Sequence, residues 1–244
     1  MSAAASLANG NARKRIVILI SGSGTNMVNI AEHCRLANAG QVSLGQSSGW
    51  QSINGQAINA DVVAVIANRA DAKGLGKAAA MGIATATLAH TEFTSREDYD
   101  AALVELVQSY QPDLVILAGF MRVLTPVFVS AFADRIMNIH PSLLPKYKGM
   151  HTHQRALDAG DTEHGVSVHF VTEELDGGPV ILQSKIPIFP EDTAEDLQER
   201  VHEQEYRIYP LVIRWFCADR LRLTEQGAEL DGELLGEHGY AADD

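Results

Sequence analysis

The segment Asp113-Leu-Val-Ile-Leu-Ala118 is apolar at five successive positions. A strand with one wet face alternates polar and apolar residues. An unbroken run therefore fits a strand covered on both faces by helices, as at the centre of a parallel sheet. Arg15-Ile-Val-Ile-Leu-Ile20 has the same character and runs into the glycine turn Ser21-Gly-Ser-Gly-Thr-Asn26. Met27, Ile30, Ala31 and Cys34 then recur at helical spacing to about Ala37, and Thr25 or Asn26 can accept from the free N–H groups at the helix start. Strands over 62–67 and 83–88, helices over about 75–81 and 95–109, a short helix over 126–132 and a strand over 135–139 continue the alternation. After Asn138-Ile-His-Pro-Ser-Leu-Leu-Pro145 the pattern changes. The runs 166–171 and 180–186 flank a Glu-Leu-Asp-Gly-Gly-Pro turn without room for a crossover helix, which predicts antiparallel pairing. A long helix from about Thr193 to Cys217 closes the core, and 221–235 reads as a small hairpin or strand pair. The expected class is α/β: a Rossmann-like open sheet with a parallel N-terminal half, antiparallel strands added in the C-terminal half, and helices on both faces.

The 244 residues are ample for one large core, so a single domain over 15–244 is expected behind a flexible leader of residues 1–14. The formal charge of −12 is localised: 191–205 carries −6, 225–244 carries −7, and the remainder is near neutral. No basic cluster interleaved with aromatics is present, which argues against nucleic acid or an anionic membrane as partner and for a small molecule. Cys34 and Cys217 lack metal or redox spacing and are too few for a secreted disulfide framework. The first fifteen residues place their charges after a weakly apolar stretch, the wrong order for a signal peptide, and no apolar run reaches membrane-spanning length. A cytoplasmic protein, monomer or homodimer, is expected.

Three constellations could carry chemistry. In Ser21–Asn26, small residues between strand and helix let backbone N–H groups approach an anion such as phosphate, although a tight turn needs glycine in any case. Met27 occupies the third glycine position of a dinucleotide fingerprint, and no Walker lysine follows. In Asn138-Ile-His140-Pro, positions two apart on a strand share a face, so the Asn138 amide and the His140 imidazole point into one space at the carboxyl end of a parallel strand. In Glu173-Glu-Leu-Asp176-Gly-Gly-Pro, turn chemistry alone explains the glycines, whereas an Asp176 that reached His140 would orient its ring for acid–base work. His151-Thr-His153 could share a strand face but has no third ligand at metal spacing, so no metal site is expected.

Four segments in order, Ile20–Asn26, Leu117-Ala-Gly-Phe-Met-Arg122, Asn138–Lys146 and Asp176-Gly-Gly-Pro-Val-Ile-Leu-Gln183, closely resemble the phosphoribosylglycinamide formyltransferases of purine biosynthesis. The likeness runs from about Arg15 to the final Gly239-Tyr-Ala-Ala-Asp-Asp, with 41–56 standing out as an inserted loop. It implies the formyltransferase fold and transfer of a formyl group from 10-formyltetrahydrofolate, as co-substrate and without metal, to the amino group of glycinamide ribonucleotide. Asn138, His140 and Asp176 would then be catalytic. Gly24, Thr25 and Asn26 would hold the substrate phosphate, and Glu205 the ribose, with His202 nearby in place of the Gln of some members. Leu117, Val123, Leu124, Phe128, Val129 and Val171 would line a pterin slot beside Met121. The backbone of Thr172, Glu173, Glu174, Leu175 and Asp176 would read the pterin's polar edge, and Arg96 and Arg122 would flank the anionic tail.

Three other readings start from the same fold. A formyltetrahydrofolate hydrolase uses water in place of the amine, but resembles this chain with an added N-terminal domain, for which 1–14 is too short. A methionyl-tRNA formyltransferase would carry a further C-terminal domain and a basic surface. A catalytically silent sensor on the same fold would have no need of Asn138, His140 and Asp176 together.

Overall fold

The computed structural model describes residues 12–38 and 57–240. The inserted loop expected at 41–56 lies outside them, as do residues 1–11 of the expected leader and the last four residues of the chain. The end of that leader belongs to the fold. Arg13 pairs with Asp61 at 3.0 Å and donates to the carbonyls of Cys34 and Ala60, and Lys14 opens the first strand.

The first half runs β1 (Lys14–Ile20), α1 (Thr25–Asn38), β2 (Ala60–Ala67), α2 (Lys73–Ala80), β3 (Ala84–Thr87), α3 (Arg96–Ser109), β4 (Leu114–Leu117), α4 (Pro126–Ala131) and β5 (Ile136–His140). The second runs α5 (Thr152–Asp158), β6 (Glu163–Phe170), β7 (Val180–Pro187), α6 (Ala194–Cys217), β8 (Leu221–Thr224), β9 (Gly227–Leu230) and β10 (Glu233–Leu234). Seven strands form one sheet in the order β3-β2-β1-β4-β5-β6-β7. Pairing is parallel from β3 across to β5 and antiparallel from β5 to β7, as the change of pattern after Pro145 predicts. The chain leaves β1 toward β2 and β3 and returns on the other side at β4. That reversal opens a crevice between the ends of β1 and β4, where open α/β sheets bind ligands.

The unbroken apolar strands have the expected cause. Ile16, Ile18 and Ile20 point into the core cluster shared with α1 and α6, while Val17 and Leu19 point into the opposite cluster under α3 and α4. Burial of both faces removes the polar alternation a half-exposed strand would show.

Helix α6 locks the arrangement. Its start is a reciprocal capping box between Thr193 and Asp196. Buried Tyr209 brings its hydroxyl to 2.9 Å from the Leu117 carbonyl and 3.0 Å from that of Met137, bridging the neighbouring strands β4 and β5. Pro210 lies inside the helix and has no N–H for the carbonyl four residues back, Tyr206. The Asn29 amide of α1 donates to that carbonyl at 2.9 Å.

Two elements differ from expectation. His151 and His153 do not share a strand: His151 is the left-handed residue before α5, and His153 lies in the helix. The C-terminal segment forms three antiparallel strands in the order β10-β9-β8 instead of a pair.

Candidate active site

Three loops meet at the carboxyl ends of β1, β4 and β5. The first follows β1. Ser21 donates its amide to the Gly119 carbonyl at 3.0 Å, and its hydroxyl accepts from the Met121 amide at 2.8 Å, so the loops after β1 and β4 are fixed to one another. Gly24 has φ +68°, and a Cβ there would approach the Gly74 Cα of α2 at 2.8 Å. Only glycine allows the loop to lie this close to the neighbouring helix. Helix α1 begins at Thr25 with no acidic residue in its first turn, which leaves its N-terminal amides favourable to an anion.

Asn26 does not cap that helix. Its amide nitrogen donates to Glu205 Oε2 of α6 at 2.7 Å. Glu205 is only 5% exposed, and burial pushes its carboxyl up while the Asn26 amide pulls the other way. His202 lies one turn earlier on α6 with Nε2 at 3.8 Å from Glu205 Oε2. Asn26 Oδ1 is buried and has no hydrogen-bond partner among the described residues. Asn26 and Glu205 thus present acceptors side by side, which suits a ligand rich in hydroxyl or amino donors.

The second group is on β5. Asn138 and His140 share a face as their spacing predicts, and the antiparallel register sets Asn138 opposite His169 of β6 and His140 opposite Ser167. His140 Nε2 lies 2.9 Å from the Tyr147 carbonyl oxygen. A carbonyl can only accept, so Nε2 carries a proton, and Nδ1 is left facing Asp176 Oδ2 at 3.4 Å. Asp176 has φ +46° in the turn between β6 and β7, and its Oδ2 also accepts from the Gly149 amide at 2.9 Å.

His169 was not singled out from the sequence. Its Nδ1 donates to the Phe170 carbonyl at 2.8 Å, which leaves Nε2 as the acceptor for the Asn138 amide at 3.2 Å. Burial pushes the imidazole down to about 4, so it is neutral at neutral pH and remains an acceptor. One N–H of Asn138 is thereby used, and the amide is aimed. Ser167 and His169, two apart and interleaved with the apolar Val166, Val168 and Phe170, are the signal that could have found it.

The residues proposed for a folate divide by burial. Leu117, Leu124, Phe128 and Val129 are floor, packed into the core under α3 and α4 with Val171 against them, whereas Met121 and Val123 are exposed above. Arg122 stacks over the Tyr99 ring at 4.8 Å, and Arg96 donates to the Val123 carbonyl, so both guanidinium groups flank the same rim. Glu173, Glu174 and Leu175 are exposed on the turn that carries Asp176, and Thr172 is half-buried at its start. The structure thus gathers the predicted residues into two clusters, Asn138–His140–Asp176 with His169, and Asn26–Glu205–His202 behind the glycine loop.

Residues 14–213 match the sequence profile of the formyl transferase family. The chain belongs to that family. The match covers every strand of the large sheet and most of α6. Phosphoribosylglycinamide formyltransferase of Escherichia coli is 52% identical over 229 residues, 94% of this chain and 99% of that protein. Its counterpart in Haemophilus influenzae is 47% identical over 228 residues, 93% of this chain and 99% of that one. The solved structure of phosphoribosylglycinamide formyltransferase from Coxiella burnetii superposes with a TM-score of 0.80 at 46% identity, covering 93% of this chain and 98% of that one. Membership in the formyl transferase family makes the chain a group-transfer enzyme, and its mixed sheet is the one these neighbours share.

Proposed function

We propose that the chain transfers the formyl group of 10-formyltetrahydrofolate to the amino group of phosphoribosylglycinamide, giving the N-formyl product and tetrahydrofolate. The observation that carries this reading is His140 held between the Tyr147 carbonyl and Asp176, with the Asn138 amide two residues away on the same strand face. Attack of the amine on the formyl carbon creates a tetrahedral oxyanion, which needs donors placed in advance. The free N–H of Asn138 supplies one, and His140 supplies a second when Nδ1 is protonated beside Asp176. The attacking amine must lose one proton and the departing folate nitrogen must gain one. His140 Nδ1, facing Asp176 at 3.4 Å, is placed to exchange it.

The ribonucleotide half rests on the glycine loop. The amides of Gly24, Thr25 and Asn26 hold the phosphate at the start of α1, and Asn26 Oδ1 and Glu205 accept from the ribose hydroxyls, with His202 at the rim. The folate lies over Leu124, Val171 and Val123, with the backbone of 172–176 reading its ring edge and Arg96 and Arg122 near its carboxylates. The proposed setting is the cytoplasm; no helix among the described residues is long and apolar enough to cross a membrane.

The test is release of tetrahydrofolate from 10-formyltetrahydrofolate, followed by absorbance with and without the ribonucleotide. Release that requires the ribonucleotide, and that falls by about 10²- to 10⁴-fold in His140→Ala and Asp176→Asn, is the expected result. Equal release without ribonucleotide would replace transfer by hydrolysis, and folate binding without turnover would leave a sensor.

A further inference from the structure

We propose that the ion pair between Lys148 and Glu174 is a clasp that positions His140 and Asp176 for the formyl transfer, an inference that rests on the function proposed above. Both partners lie outside the catalytic cluster, on different loops. Lys148 belongs to the segment 146–151 after β5, Glu174 to the turn before β7, and their Nζ and Oε1 are 2.6 Å apart.

Each loop supplies one half of the support for the catalytic histidine. Segment 146–151 provides the Tyr147 carbonyl for His140 and the Gly149 amide for Asp176. The turn provides Asp176 itself. The residues on either side of Lys148 are thus the two that touch the catalytic pair, and Glu174 is two residues from Asp176.

Neither loop is held by its own backbone preference. Tyr147 and His151 are non-glycine residues with φ +56° and +59°, and Asp176 has φ +46°. Such conformations persist only where surrounding contacts over-determine them. Behind the turn lies a cavity of about 400 Å³ lined by Leu144, Pro145, Lys148 and Asp176 and by residues of the last strands, so the turn is not backed by close-packed core there. Its position depends on the ties made across the gap. Gly177 is part of the same design: a Cβ there would overlap the Glu174 side chain, which folds back over this glycine to meet Lys148.

Glu174 is 70% exposed and Lys148 34%, so the pair adds little to global stability and acts on the local equilibrium between a docked and an undocked segment. Lys148→Met and Glu174→Gln are therefore expected to lower kcat about three- to fivefold, with the ribonucleotide KM and the melting temperature unchanged. The charge-reversed pair Lys148→Glu with Glu174→Lys should return kcat to within about twofold of wild type, because the tie is restored with the opposite sense. A second readout needs no turnover: the Gly149 amide should exchange with deuterated solvent faster in each single variant and slower again in the reversed pair. Single variants with wild-type kcat and wild-type Gly149 exchange, or a reversed pair no better than the singles, would overturn the clasp. Absence of formyl transfer by the unmodified protein would instead remove the proposed function, while Gly149 exchange still decides the clasp.

Discussion

His140 has its two ring nitrogens assigned by what surrounds them: a carbonyl that can only accept takes Nε2–H, and a carboxylate stands off Nδ1. The same reasoning gives His169 its task. Neutral, and with its Nδ1–H committed to the Phe170 carbonyl, it can only accept from Asn138. Replacing it with Ala removes that acceptor and lets the amide turn. The expected outcome is a kcat about tenfold lower with little change in KM, read by steady-state kinetics. Asn138 and His140 were legible in the sequence because strand geometry fixes the relation of residues two apart. His169 was not legible to the same degree, since its role depends on the β5–β6 register, a relation between residues 31 apart.

Among elements, the seam between α1 and α6 is where sequence and packing meet most closely. Asn26 and Asn29, three apart on one face of α1, reach Glu205 and the Tyr206 carbonyl. The second contact exists because Pro210 leaves that carbonyl without its helical donor. Asn29→Ala should destabilise the protein by about 1 kcal/mol, and by less in a Pro210→Ala background, where the restored amide can bond Tyr206. Urea unfolding of the four members of that cycle measures the coupling. The long helix itself could be read from its Thr193 start and apolar spacing. Helix α5 could not: its seven residues are too few to show a period, and it starts after His151, whose left-handed backbone no propensity foretells.

At the level of the whole molecule, acid sensitivity follows from buried imidazoles. His164 packs against His153, with the two rings joined at 3.0 Å, and burial pushes His164 down to about 4. His169 is depressed to about 4 for the same reason. In the unfolded chain both titrate near their ordinary value of about 6.5. Between those limits the unfolded state binds protons that the folded state refuses, so stability falls as pH falls from about 6.5 toward 4. The slope approaches about 1.4 kcal/mol per pH unit for each histidine. Urea unfolding at pH 7, 6 and 5 should show the decline, and His164→Asn should flatten it. The mixed sheet was legible because apolar runs, glycine turns and the break after Pro145 each carry a local signature. The histidine cluster was not, because it forms only when α5 packs beside β6.

Tyr209 has a consequence for how the site comes apart. Its hydroxyl joins the neighbouring strands β4 and β5 to the helix that carries Glu205, so Asn26, Glu205 and Asn138 are tied to one buried, hydrogen-bonded framework. Tyr147, Gly149 and Asp176 ride on turns that open sooner. Under the proposed function, a molecule caught part-way through such an opening would keep its grip on the ribonucleotide while losing the groups that arm His140. It would fall silent with its acceptor still in hand, and would release no formyl group to water.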